Sequence, residues 1–138
     1  MISLNTPIEE LNGMNEGTLM EQLGIEYLDV KEGFVKAKMP VDRRTKQPFD
    51  ILHGGASIAF AETIASLGSA VLVDLKHNDV RGVSVTANHI GAVSSGHVIG
   101  DAWLKHRGRI THVWDVEIRD ENGAGVSLVR VTVMVVAK

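Results

Sequence analysis

A chain of 138 residues with 44% hydrophobic and 22% charged side chains fits one domain with a single sizeable core. Its net charge of −3 and isoelectric point near 6.0 give no general attraction to nucleic acid or anionic lipid. The absence of cysteine excludes disulfides, thiolate zinc sites and a cysteine nucleophile.

The opening, MISLNTPIEELNGMNEG, has neither a basic region nor an apolar centre, so no signal peptide is expected and a cytoplasmic location is the default. Thr6-Pro7-Ile8-Glu9 predicts a capped helix with proline in its first turn. Thr18-Leu19-Met20-Glu21 repeats the capping pattern, and Gly24 is a helix stop. Short helices packed on the outside are expected there. A strand over Ile25 to Val30 then turns at Lys31-Glu32-Gly33. Val35, Ala37, Met39 and Val41 alternate with Lys36 and Lys38, as in a half-buried strand.

From Gly54 to Val73 the only charged residue is Glu62. A charge at the centre of a lone bilayer span is costly, and Ser57, Thr63, Ser66 and Ser69 add polarity, so a helix wrapped by protein is expected instead. The wrapping follows in sequence. Val83, Val85 and Ala87 alternate with Ser84, Thr86 and Asn88, and His97 to Lys105 forms another candidate strand after the looser GAVSSG connection. Trp114, Val116 and Ile118 and then Val129 to Val135 form two more, joined by a turn at Asn122-Gly123. Four strands joined by short turns after one long helix predict an antiparallel sheet and an α+β layer arrangement over a single domain, residues 1–138. An exposed edge strand would favour pairing with a second copy.

The lone carboxylate raises the question of chemistry. Hydrolysing an acyl group requires a donor for the developing oxyanion and a base for the attacking water. A helix N-terminus offers unpaired N–H groups, and Gly54 and Gly55 let a carbonyl oxygen approach them without a Cβ in the way. Taken singly, each residue also has a plain structural role. The glycines suit a turn, Glu62 could pair with an arginine, His53 could hold the loop, and Ser66 could be a small packing residue.

Taken together, Gln47-Pro48-Phe49, His53-Gly54-Gly55, Glu62 and Ser66 resemble the hotdog-fold acyl-CoA thioesterases. The resemblance is closest to the Arthrobacter-type 4-hydroxybenzoyl-CoA thioesterase branch, with the small bacterial aryl-CoA and dihydroxynaphthoyl-CoA thioesterases. It extends through MPVDRRTKQPFDILHGG, VSVTANHI and VWDVEIRDENG. It implies a hotdog fold, an antiparallel sheet of five to six strands wrapped around a long central helix, and hydrolysis of an acyl- or aryl-CoA ester. It assigns the oxyanion N–H to Gly54 and a side-chain donor to Gln47, with Glu62 as base or nucleophile. Ser66, one helical turn on, would orient the water or the carboxylate, and His53 would act at the loop. No resident cofactor or metal is implied, since coenzyme A is part of the substrate. The six histidines (His53, His77, His89, His97, His106 and His112) show no zinc-ligand spacing.

For the thiol half, the resemblance places pantetheine contacts at Gly82 and Val83, and sets Asn88 and His89 near the cofactor or the dimer contact. The basic stretch Lys105-His106-Arg107-Gly108-Arg109, expected at a turn, suits phosphates through Arg107 and Arg109, and is equally readable as a solvated turn. The acyl half is expected against Phe49, Ile51, Leu52 and Ile58, with an aryl or medium acyl group both fitting. Gly54 and Glu62 are eight residues apart, about 12 Å along one helix, too far to act on one carbonyl. Two antiparallel helices in a homodimer would bring Gly54 of one chain to Glu62 of the other, and a homotetramer is expected overall. A hotdog hydratase would need an Asp-His pair or a His-Phe-Pro segment that is absent here. A non-catalytic acyl-CoA sensor is the alternative of another class.

Overall fold

A computed structural model describes residues 1–138. Two short helices, α1 (Ile8–Gly13) and α2 (Leu19–Leu23), precede the hairpin of β1 (Glu26–Lys31) and β2 (Phe34–Pro40). The apolar run folds as α3 (Gly54–Ala70), followed by β3 (Asn78–His89), β4 (His97–Arg107), β5 (Thr111–Asp120) and β6 (Gly125–Ala137). The six strands form one antiparallel sheet in the order β1-β2-β4-β5-β6-β3.

The strand periods held except at Val83, which lies exposed, and the chain order misleads in one place. β3 pairs with β6 and not with its successor β4. The reason lies in burial. Val98 and Ala102 of β4 are fully buried, so β4 needs a neighbour on each side, whereas much of β3 is exposed and suits an edge. The connection after His89 therefore carries the chain from the edge back to the middle of the sheet. The expected turns hold: Gly24, Gly33 and Gly123 all have positive φ, with Gly123 closing the β5–β6 loop.

The first helix is capped differently from expectation. Thr6 spends its hydroxyl accepting the Ser3 N–H at 2.9 Å, and the carbonyl of Pro7 takes the first helical bond, so α1 begins at Ile8. The second cap is as expected, with Thr18 accepting the Met20 N–H at 3.2 Å.

A core of 25 buried residues fills the space between α3 and the sheet, with Phe60, Ala61, Ile64 and Ala65 fully enclosed. α3 is 17 residues long, and no helix of the structure is long and apolar enough to cross a membrane. Near its C-terminal end the Trp114 ring packs on Gly68, where a Cβ would clash with the ring. The Trp114 indole donates to the Ser69 hydroxyl at 2.8 Å, and the His112 Nδ1 meets the same oxygen at 2.9 Å. Burial, aided by nearby Arg107 and His106, pushes the His112 imidazole below its ordinary pKa.

The two sheet edges are finished differently. At β1, the Asn12 side chain accepts the Tyr27 N–H at 2.7 Å and donates to the Tyr27 carbonyl at 3.0 Å. Asn15 donates to the Ile25 carbonyl at 3.1 Å. Side-chain amides of the N-terminal segment thus occupy groups that an added strand would use. β3 has no such cover, and it carries a bulge between Gly82 and Ser84 that leaves Val83 exposed. β3 is the open edge.

Candidate active site

The N-terminus of α3 is built so that one backbone donor remains free. His53 is the N-cap: its Nδ1 accepts the Gly55 N–H at 2.7 Å, and its carbonyl accepts from Ala56 and Ser57. Of the first four N–H groups, only that of Gly54 is left without a partner. It opens into a pocket of about 400 Å³ that Gln47, Ile51, Leu52 and His89 also line. Gln47 is oriented by its neighbour. Its side-chain carbonyl accepts the Phe49 N–H, so the amide NH₂ is the end available to a ligand. His53 itself is exposed, and its Nδ1 is committed to the cap.

His89 belongs to this pocket. A Cβ on Gly54 would lie 2.7 Å from the His89 Nε2, while the His89 Nδ1 bonds the Ser127 hydroxyl at 2.6 Å. The contact arises because the end of β3 lies against the start of α3. Asn88 points away from it. It lines a depression on the outer face of the sheet with Thr86, Asp115 and Arg130.

Glu62 and Ser66 line a different pocket, of about 390 Å³. Glu62 is half-buried, and its carboxylate rests on Gly82 of β3, filling the space where a Cβ would stand. No arginine or lysine pairs with it, so the structural reading of a core ion pair fails. Apart from Asn15 and Thr63 the rest of this pocket is largely apolar, and much of it comes from the N-terminal segment: Leu11, Met14, Leu19 and Met20, with Tyr27 of β1. Sequence reasoning missed this wall. The helix caps were legible, but an amphipathic helix does not state which surface it will cover.

The expected acyl contacts are not gathered in one pocket of the chain. Phe49 is 85% exposed in the tight turn that ends at Asp50, the one non-glycine residue with positive φ. Ile51 and Leu52 face the Gly54 pocket, and Ile58 lies in neither. The basic stretch is partly strand, since Lys105, His106 and Arg107 end β4 and only Gly108 and Arg109 begin the turn. Arg107 is already engaged, donating to Glu32 at 3.3 Å and to the Leu72 carbonyl at 3.1 Å, whereas His106 and Arg109 are exposed. The Leu72 contact sets this basic corner beside the C-terminal end of α3, the end opposite Gly54.

A six-stranded antiparallel sheet wrapped around one long helix is the hotdog fold, and a free helix-terminal N–H with a lone unpaired carboxylate on that helix suits its thioester-cleaving enzymes. Comparison with known proteins agrees. The chain belongs to the Thioesterase superfamily, whose pattern matches residues 49–127. It is 45% identical over 116 residues to the proofreading thioesterase EntH of Cronobacter turicensis, covering 84% of each chain. It is 40% identical over 116 residues to the 1,4-dihydroxy-2-naphthoyl-CoA hydrolase of Escherichia coli, covering 84% of this chain and 85% of that one. The solved structure of thioesterase PA1618 from Pseudomonas aeruginosa matches with a TM-score of 0.94 at 36% identity, over 97% of this chain and 96% of that one. The protein is an enzyme, a thioester hydrolase.

Proposed function

We propose that this enzyme hydrolyses acyl- or aryl-CoA thioesters to the free acid and CoA, at a site shared by two chains. One observation carries the reading: the free Gly54 N–H and the Glu62 carboxylate open into separate pockets of one chain. They stand about 12 Å apart along α3, and a reacting carbonyl must meet both groups within about 3 Å. Two α3 helices lying antiparallel across a dimer satisfy that requirement. The uncovered β3 edge and the half-buried stripe of Ala59, Glu62, Thr63 and Ser66 support such a pairing. The homodimer is the minimal active unit. Exposed Leu128 and Met134 on β6 leave apolar surface for a homotetramer.

In this site the thioester oxygen accepts from the Gly54 N–H and the Gln47 amide, which strengthen as negative charge develops. Glu62 of the other chain either takes a proton from an attacking water or attacks the carbonyl carbon itself, the resulting anhydride then being hydrolysed. In both routes the C–S bond breaks, CoA leaves as the thiolate and is protonated, and water supplies the acid's new oxygen. Ser66 stands one turn from Glu62 in the same pocket, placed to hold the water or the carboxylate. Gly82 and Val83 lie at the bulged edge beside Glu62, where a pantetheine arm would run. The relative named as a naphthoyl-CoA hydrolase supports a CoA ester as substrate.

The test is thiol release across aliphatic and aryl CoA esters. Arg109 separates phosphate binding from structure, because it has none of the ties of Arg107. Arg109→Ala is expected to raise KM for a CoA ester several-fold with kcat near wild type, and to leave unchanged the same acyl group on a short pantetheine thiol lacking phosphates. An equal loss on both esters would remove Arg109 from the CoA site.

A further inference from the structure

The pocket that holds Glu62 is apolar except for two features besides the catalytic stripe. Asn15 is one, and its amide is already spent on the Ile25 carbonyl. The other is Tyr27, which is 4% exposed and whose hydroxyl makes no hydrogen bond within the chain. That hydroxyl is not sealed in the core, because Asp101 Oδ1 is the one fully enclosed side-chain oxygen or nitrogen without a partner. Its access is through the pocket that Tyr27 lines.

The residue is also held in place. Both backbone polar groups of Tyr27 are clamped by the Asn12 side chain, at 2.7 and 3.0 Å. The β1 bulge between Tyr27 and Asp29 falls immediately after it. Burial pushes the phenol up to about 12, so at neutral pH it is an intact O–H, able to donate and to accept. A polar group left unpaired among apolar walls costs stability unless something pairs with it. Such a group in a ligand pocket fixes the orientation and identity of what enters.

We propose that Tyr27 is a specificity-determining residue: its hydroxyl reads a hydrogen-bonding oxygen carried by the acyl group, away from the thioester carbon. The inference rests on the thioesterase reading and on this pocket receiving the acyl half. The substrate class is then an apolar acyl or aryl group bearing a hydroxyl or keto substituent, with the plain hydrocarbon analogue disfavoured. Phe in place of Tyr keeps the ring and removes only the reader.

The experiment compares benzoyl-CoA with its three ring-hydroxylated isomers, and octanoyl-CoA with its 3-hydroxy and 8-hydroxy forms, on wild type and Tyr27→Phe. Wild type is expected to prefer at least one hydroxylated ester over its parent. Tyr27→Phe should lower the preference for that ester over its parent, read as the ratio of the two kcat/KM values, by roughly three- to tenfold, the worth of one neutral hydrogen bond. Its melting temperature should hold, since the hydroxyl has no hydrogen bond within the chain to lose. A wild type indifferent to every hydroxyl, or a variant that loses equally on all esters, would overturn the proposal. If wild type cleaves no CoA ester at all, it is the thioesterase reading that fails, and the role of Tyr27 falls with it.

Discussion

Glu62→Gln is expected to retain the fold and the assembly and to lose kcat by about two to four orders of magnitude, the usual cost of removing a positioned base. Glutamine keeps the length of the side chain and its rest against Gly82 while removing the basic oxygen pair. No ion pair is broken, because Glu62 has none in the chain, so the melting temperature should hold. KM should change little, since the carboxylate acts on water or carbonyl carbon and not on the CoA arm. Steady-state thiol release with a good substrate reads the outcome. Near-normal turnover would remove Glu62 from the chemistry.

Gln47 gives the second large effect, and its sign depends on which end of the amide is free. The Phe49 N–H occupies the carbonyl end, so the NH₂ end is the donor facing the Gly54 pocket. Gln47→Ala removes that donor and should lower kcat roughly 10²- to 10³-fold, as loss of one oxyanion donor does. Gln47→Glu should be worse than Ala. It preserves the bond from Phe49 but presents an acceptor and a negative charge to the developing oxyanion. A glutamate variant more active than the alanine variant would mean that Gln47 does not face the oxyanion.

What the sequence made legible was local. Strand periods such as Val35-Ala37-Met39, the Gly24 stop and the Asn122-Gly123 turn all depend on near neighbours, and all held. The spacing from His53 to Ser66 was equally readable, because residues along one helix have fixed separations. Pairings between distant segments were not. Nothing in Val83-Val85-Ala87 states that β3 lies beside β6, since alternation sets which face is buried and not which strand is next. The same limit hid the wall of the Glu62 pocket. Phe49 looked like an apolar contact but sits in a solvent-facing turn, while Leu11, Met20 and Tyr27 reach the Glu62 pocket from the other end of the chain. His89 was noticed, but its contact with Gly54 was not, because that contact joins the end of β3 to the start of α3.

The shared site is the central claim, and complementation between inactive chains tests it most directly. A Glu62→Ala homodimer and a Gln47→Ala homodimer should each be nearly inactive, for every site in them lacks one required group. In the mixed dimer one site collects both damaged residues and the other collects neither. Co-refolding the two variants should therefore restore a substantial fraction of wild-type kcat with wild-type KM, while native mass spectrometry confirms that the chains have mixed. Mixed chains whose activity stays at the level of the single variants would contradict the account, because Gly54 and Glu62 would then have to serve one carbonyl from a single helix.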